Sequence, residues 1–214
     1  LFVYGYLSQH LRLRPNVTRK IDWLRRFATP FAVMELKMSL SAPAKREARH
    51  LRRISCRGFA REDGLLDIEG ELIDTKDYDF PSSTHGTIEA GHPIHHMQVR
   101  ITINFQMNVV AAEAVTLHGP YQICPKGAEN ISGLVGLTIG PGWKRKVQNA
   151  IGGPKGCTHI TELMGQMATT AFQTLYGEKA RQRRATGADQ NQQIRTPLPS
   201  LTNSCIAYAE DTDA

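Results

Sequence analysis

The chain has four cysteines and eight histidines, and three of the cysteines stand where a thiolate would be favoured or held. In GCTHI, Gly156 to Ile160, a thiol and an imidazole lie two positions apart on a glycine-led turn. Cys157 immediately precedes HITELMGQM, with Thr158 as a cap and Glu162 as an early acid, so it sits at a helix start. Cys124, in YQICPKG, precedes Pro125; proline favours the first position of a helix, which makes Cys124 an expected N-cap. Free amides and the positive end of the helix dipole stabilise a thiolate at such places. Cys205 lies in the end of the tail, which is expected to dock back on the domain. Cys124, Cys157, His159 and Cys205 then form a Cys3His set suited to zinc or an iron-sulfur cluster. Two other readings of these residues stay open: small buried hydrophobes, and a metal-free Cys157 nucleophile with His159 as its base. The cysteine spacing contains no CxxC, which weakens a zinc ribbon, and in a reducing compartment an even cysteine count is no disulfide framework.

Carboxylates are the second group. In LLDIEGELIDTKDYDF, Asp67, Glu69 and Glu71 share one strand face while Ile68 and Leu72 share the other. Neighbouring carboxylates over a cleft raise one another's pKa and leave one as a general acid or base; over open solvent they are merely a wet sheet face. His95 and His96 point to opposite faces, so at most one of them joins a given site. Arg100 could clamp a substrate carboxylate or pair with Glu69 or Glu71. The expected cleft is lined by Asp67, Glu69, His95 and Arg100, and a small organic anion is the substrate class it would suit.

The elements that must carry these groups follow from periodicity. RRISCRGFA, the turn REDG and LLDIEGELIDT make one hairpin, and HMQVRITINF returning as VVAAEAVT makes a second. Beyond Pro120 the period becomes helical in AENISGLVGL, KRKVQNAIGG and HITELMGQMATTAFQTLYGEK, the last closed by Gly177. The expected fold is α+β: an antiparallel sheet of two hairpins, about four strands, with about three helices packed on one face. Residues 1–45 read as a basic arm, 46–177 as one domain and 178–214 as a polar tail. Residues before Met38 read as an upstream extension, with Met34 or Met38 an alternative start.

The net charge of +6 is unevenly spread. Residues 1–60 hold thirteen Lys and Arg against three Asp and Glu, and the remainder holds thirteen against seventeen. With no recognition motif beside the basic stretch, nucleic acid is disfavoured as a partner. No apolar run approaches the roughly 20 residues of a membrane span, so a soluble, cytoplasmic protein is expected, with a second copy of the chain a candidate partner.

The succession RRISCRGFAREDGLLDIEGELIDTKDYDF, AGHPIHHMQVRITI, PYQICP, LVGLTIGPGW, GCTHITELMGQMATTAFQTL and LTNSCIAYA resembles a bacterial family known as domain of unknown function 2889, over about Leu51 to Ala209. The resemblance implies that Asp67, Glu69, Asp74, His95, Arg100, Cys124, Cys157, His159 and Cys205 fall on its pattern, whereas Cys56 does not. His96 stands where the family usually has Asp, and Leu66 where it has Trp. The family brings no settled activity. A hairpin followed by a cysteine at a helix start is also similar to the iron-sulfur scaffold proteins, a likeness of fold alone.

Overall fold

The computed structural model of the 214-residue chain describes residues 40–187 and Ala209. Contacts divide the chain into two units, Leu1–Arg46 and Glu47–Ala214; the architecture below is that of the second. It is an α+β fold. Strands β1 (His50–Ala60), β2 (Leu66–Lys76), β5 (Pro93–Ile103) and β6 (Val109–His118) form one antiparallel sheet in the order β1-β2-β5-β6. The two hairpins are thus joined at their inner strands. A small hairpin of β3 (Phe80–Ser82) and β4 (Gly86–Ile88) occupies the connection, which the sequence presents only as a polar loop.

Period-two alternation fixes which side of each strand is dry. Leu66, Ile68 and Leu72 of β2 and Met97, Val99, Ile101 and Ile103 of β5 all point to one face and are buried. That face is covered by α2 (Trp143–Ile151) and the long α3 (Thr158–Ala185). Helix α3 presents Ile160, Leu163, Met164, Met167, Ala171 and Leu175 at helical spacing. It lies so close to the sheet that a methyl group at Gly70 would stand 2.7 Å from Met167 Sδ. Trp143 ties α2 to α3 by donating from Nε1 to the Met164 carbonyl at 3.0 Å.

Two local expectations need correction. AENISGLVGL does not form a regular helix: α1 (Lys126–Glu129) is one turn and runs into a 3-10 segment, Asn130–Leu134. Ser132 and Gly133 are weak helix formers, and Gly136 at φ 86° turns the chain away. Gly177 does not close α3, which continues eight residues to Ala185. A mid-helix glycine costs about 1 kcal/mol; Glu178, bonded to Arg181 at 2.6 and 2.9 Å and to Gln182 at 3.3 Å, supports the turn beyond it. The segment starting at 178 therefore begins as helix. The basic arm before residue 40 and the docking of the tail around Cys205 lie outside the described residues. No helix among the described residues is long and apolar enough to cross a membrane.

Candidate functional site

The covered face of β2 runs Leu66, Ile68, Gly70, Leu72 and then Asp74, where the alternation calls for another apolar residue. Asp74 is 0% exposed. Strand register supplies its company: Arg52 of β1 and His95 of β5 are its direct partners on either side, and the β2–β5 register shifts immediately after it, between Asp74 and Thr75. Arg52 grips the carboxylate in a fork, Nε to Oδ1 at 2.7 Å and a terminal nitrogen to Oδ2 at 2.9 Å. His50 Nε2 lies 3.3 Å from Oδ1. His95 Nδ1 lies 3.1 Å from Oδ2; because a carboxylate only accepts, that nitrogen carries the proton and Nε2 keeps its lone pair.

Helix α3 brings the rest. Its first turn places His159 against His95, ring centroids 3.9 Å apart, with His159 Nε2 3.6 Å from Asp74 Oδ2. The N-cap is Cys157, in extended conformation and making no side-chain capping bond; its Sγ lies 3.6 Å from His159 Nδ1. Glu162, one turn on, holds the free end of Arg52 at 3.0 Å. Tight packing sets the cysteine turn: a methyl at Gly127 would stand 3.0 Å from Cys157 Cβ, and one at Gly156 would overlap the Ile151 carbonyl.

Burial governs the protonation states. Desolvation pushes His95 below the ordinary histidine range, and the neighbouring His159 pushes the same way, outweighing the attraction of Asp74. Desolvation likewise lowers His159. Burial works against the charge of Asp74 too, but the hydrogen bonds and charge of Arg52, with His95 and His50 beside it, hold its pKa below the usual carboxylate value. The resting site is a carboxylate paired with a guanidinium, beside two neutral imidazoles.

Those imidazoles open on a pocket of about 610 Å³ that Cys124 and Cys157 also line, with Tyr121 and Lys126 at its rim. Of the expected Cys3His set, Cys124, Cys157 and His159 share this pocket, and Cys205 lies outside the described residues. They are not drawn into one cluster. Among the described residues, the three-membered group of His, Cys, Asp or Glu whose ligand atoms lie within 4.8 Å of one another is Asp74, His95 and His159, with no cysteine. Cys124 is not the expected N-cap but stands one residue before the Pro125 cap of α1, and its side chain packs against Gly119, where a methyl group would stand 3.0 Å from Sγ.

The expected cleft of Asp67, Glu69, His95 and Arg100 does not exist, because strand parity divides it. His95 points to the helices, whereas the other three point to the opposite, open face. There Arg100 pairs with Glu69 at 2.7 Å and with Glu113, and Asp67 accepts from Thr102 at 2.7 Å and from Arg61 at 3.3 Å. These are the solvated sheet-face partners that the alternative reading anticipates. Asp74, Arg52 and His50 are the site residues that pattern reading passes over. The available signal was parity: an acid in the apolar register of β2, opposite an arginine and a histidine in the same register of its neighbours.

No curated protein and no solved structure matches the chain. Residues 50–173 match the family described as Protein of unknown function (DUF2889), a span that takes in the whole sheet, both turns bearing cysteines and the first half of α3, and the chain belongs to that family.

Proposed function

We propose that this is a metal-binding protein in which His95 and His159 are the central donors and Cys124 and Cys157, which line the same pocket but stand outside the close cluster, complete the set when an ion binds, with Asp74 as the carboxylate that orients an imidazole from behind. What supports this reading is the pairing of His95 Nδ1 with a buried, arginine-held carboxylate at 3.1 Å, which leaves Nε2 available as a donor. Metal-bound histidines characteristically give their other N–H to such a group. Asp74 is better suited to orient than to ligate: both its oxygens are engaged by the Arg52 guanidinium, and a cation placed directly on it would face that charge. Thiolate and neutral imidazole together suit zinc or an iron-sulfur cluster. Four protein donors would make the site structural or cluster-handling. Three would leave a position open to a small organic anion, with Lys126 on the pocket rim to attract it, which is the arrangement that metal-assisted catalysis requires.

The test is elemental analysis with an optical spectrum on protein purified without oxygen, for the wild type, Cys157→Ser, Cys124→Ser and Asp74→Asn. Stoichiometric zinc or iron in the wild type, absent from both serine variants and weakened about 10–100-fold in affinity in Asp74→Asn, is the expected result. Folded wild-type protein that is metal-free and takes up neither zinc nor iron would overturn the reading.

A specific alignment favours a second reading. Cys157 Sγ, the two nitrogens of His159 and Asp74 Oδ2 form a chain with 3.6 Å at each gap, the order of groups that a cysteine nucleophile, its base and an orienting carboxylate require. In metal-free protein this reading gives rapid alkylation of Cys157 at neutral pH, slowed in His159→Gln. Equal, slow alkylation of every cysteine in both proteins would rule it out.

A further inference from the structure

The open face of the sheet carries an ordered charge pattern that the metal site does not use. Arg57 of β1, Glu69 of β2, Arg100 of β5 and Glu113 of β6 are consecutive cross-strand partners, so one row across all four strands reads plus, minus, plus, minus. A two-fold axis parallel to the strands, running between β2 and β5, reverses that order in a second copy. Every charge then meets its opposite: Arg57 faces the partner's Glu113, and Glu69 faces the partner's Arg100.

The neighbouring rows obey the same operation. Phe59, Asp67, Thr102 and Ala111 form the row on one side, in which reversal puts phenylalanine over alanine and carboxylate over hydroxyl. Ser55, Glu71, Gln98 and Val115 form the row on the other, in which Glu71 meets the partner's Gln98. None of these three rows sets like charges against each other; in the next, Arg53, Ile73, His96 and His118, reversal puts Arg53 over the partner's His118, which carries no charge while neutral.

We infer that this face is a self-complementary docking surface for a second copy of the chain. Three observations favour a covered face over a bare one. No helix among the described residues packs on it, since α2 and α3 lie on the other side. Most of its polar groups are already satisfied across strands: Glu71 accepts from His96 and Gln98 at 2.9 and 2.8 Å, and Arg100 bonds Glu69 and Glu113. Covering groups that already have partners costs far less than burying orphans. The exception is Arg57: among the described residues no carboxylate pairs with it, and its guanidinium rests only on the Phe59 ring, while Glu113, already bonded to Arg100, keeps 67% of its side chain exposed and can take a second partner.

A groove of about 680 Å³ along the centre of the face, bordered by Arg57, Glu69, Arg100 and Glu113, leaves room for the partner's long side chains. Four strands about 4.8 Å apart and about eight residues of 3.3 Å rise project to about 500 Å² per copy. The two copies together cover about 1,000 Å², the range of weak, reversible association. Two face-packed sheets cross at about 30°, so the match is tightest in the central row.

The experiment is sedimentation equilibrium on the full chain at low and high salt, with thermal melts to confirm folding. The wild type is expected to dimerise reversibly and to weaken with salt. Arg57→Glu sets two acids face to face at two symmetry-related places and should raise the dissociation constant about tenfold or more; Glu113→Arg should do the same. Combined in one chain they give minus, minus, plus, plus, which reversal again makes complementary, so the double variant should recover association. A monomeric wild type at tens of micromolar overturns the inference. So does a dimer that Arg57→Glu leaves unchanged, or a double variant no tighter than the singles.

Discussion

The same strands carry acids, arginines and histidines on both faces of the sheet, and the two faces treat them differently. On the open face Glu69, Arg100 and Glu113 keep 42%, 48% and 67% of their side chains in solvent. On the covered face Asp74 keeps 1% and is surrounded by Arg52, His50, His95 and His159. Charges in solvent attract one another weakly because water screens them and their side chains lose freedom on pairing. A buried carboxylate without partners would cost several kcal/mol. Of the two clusters, only the covered one therefore has to be held in one arrangement, and that makes it the better candidate for a site. A fixed carboxylate can set a histidine's tautomer; a mobile surface pair cannot.

The largest effect should come from removing the centre of that cluster. Asp74→Ala leaves Arg52 without its fork and two histidines without an acceptor, and breaking a buried pair in this way costs about 3–5 kcal/mol. Arg52 keeps 35% of its side chain exposed and retains Glu162, so the lower end, about 3 kcal/mol, is expected in urea unfolding. Asp74→Asn keeps the shape and part of the hydrogen bonding and should cost about 1–3 kcal/mol. A loss below 0.5 kcal/mol for Asp74→Ala would mean that the cluster is not the fixed element described.

The two faces also differ in how well sequence exposes them. Alternation in LLDIEGELIDT and HMQVRITINF is enough for the two hairpins and for the side that takes the helices, because a one-residue slip would turn every apolar side chain outward. The turn GCTHI was legible for a similar reason, since a helix start confines Cys157 and His159 to one turn of chain. Asp74 was not, because its meaning depends on Arg52, 22 residues earlier, and His95, 21 residues later, which only strand register brings together. Asp67, Glu69 and Arg100 attracted attention by being clustered, yet clustering on the solvent side is what an exposed antiparallel face produces. The hairpin β3–β4 escaped because strands of three residues carry too few alternations to register as a pattern.

Acid should separate the faces by a moderate amount. The pKa values of His95 and His159 are lowered by burial, so below about pH 6.5, the ordinary histidine value, the unfolded chain takes protons that the folded chain refuses. Stability then falls as pH drops from 6.5 toward the folded values. Asp74 is lowered as well; its contribution is intact above pH 3.8 and is lost as pH falls through its folded pKa, so it adds a second decline below the first. Urea midpoints from pH 7.5 to 5 should decrease for the wild type, with a shallower slope in a His95→Gln, His159→Gln double variant. A midpoint that rises on acidification would show instead that the histidines charge and pair with Asp74.

The smallest effect belongs to the open face. Arg100→Ala removes two ion pairs at once, yet exposed pairs contribute only about 0.2–1 kcal/mol each, so the folded monomer should lose less than about 2 kcal/mol, against about 3 for Asp74→Ala. The measurement must be made dilute enough for the chain to be monomeric, because Arg100 stands in the row that faces a second copy. Repeated at high concentration, the same substitution should weaken association by more than it weakens the monomer's fold, whereas Asp74→Asn should leave association unchanged. If Arg100→Ala instead destabilised the isolated monomer as much as Asp74→Ala does, the open face would be as tightly held as the covered one, and the contrast that singles out Asp74 would be gone.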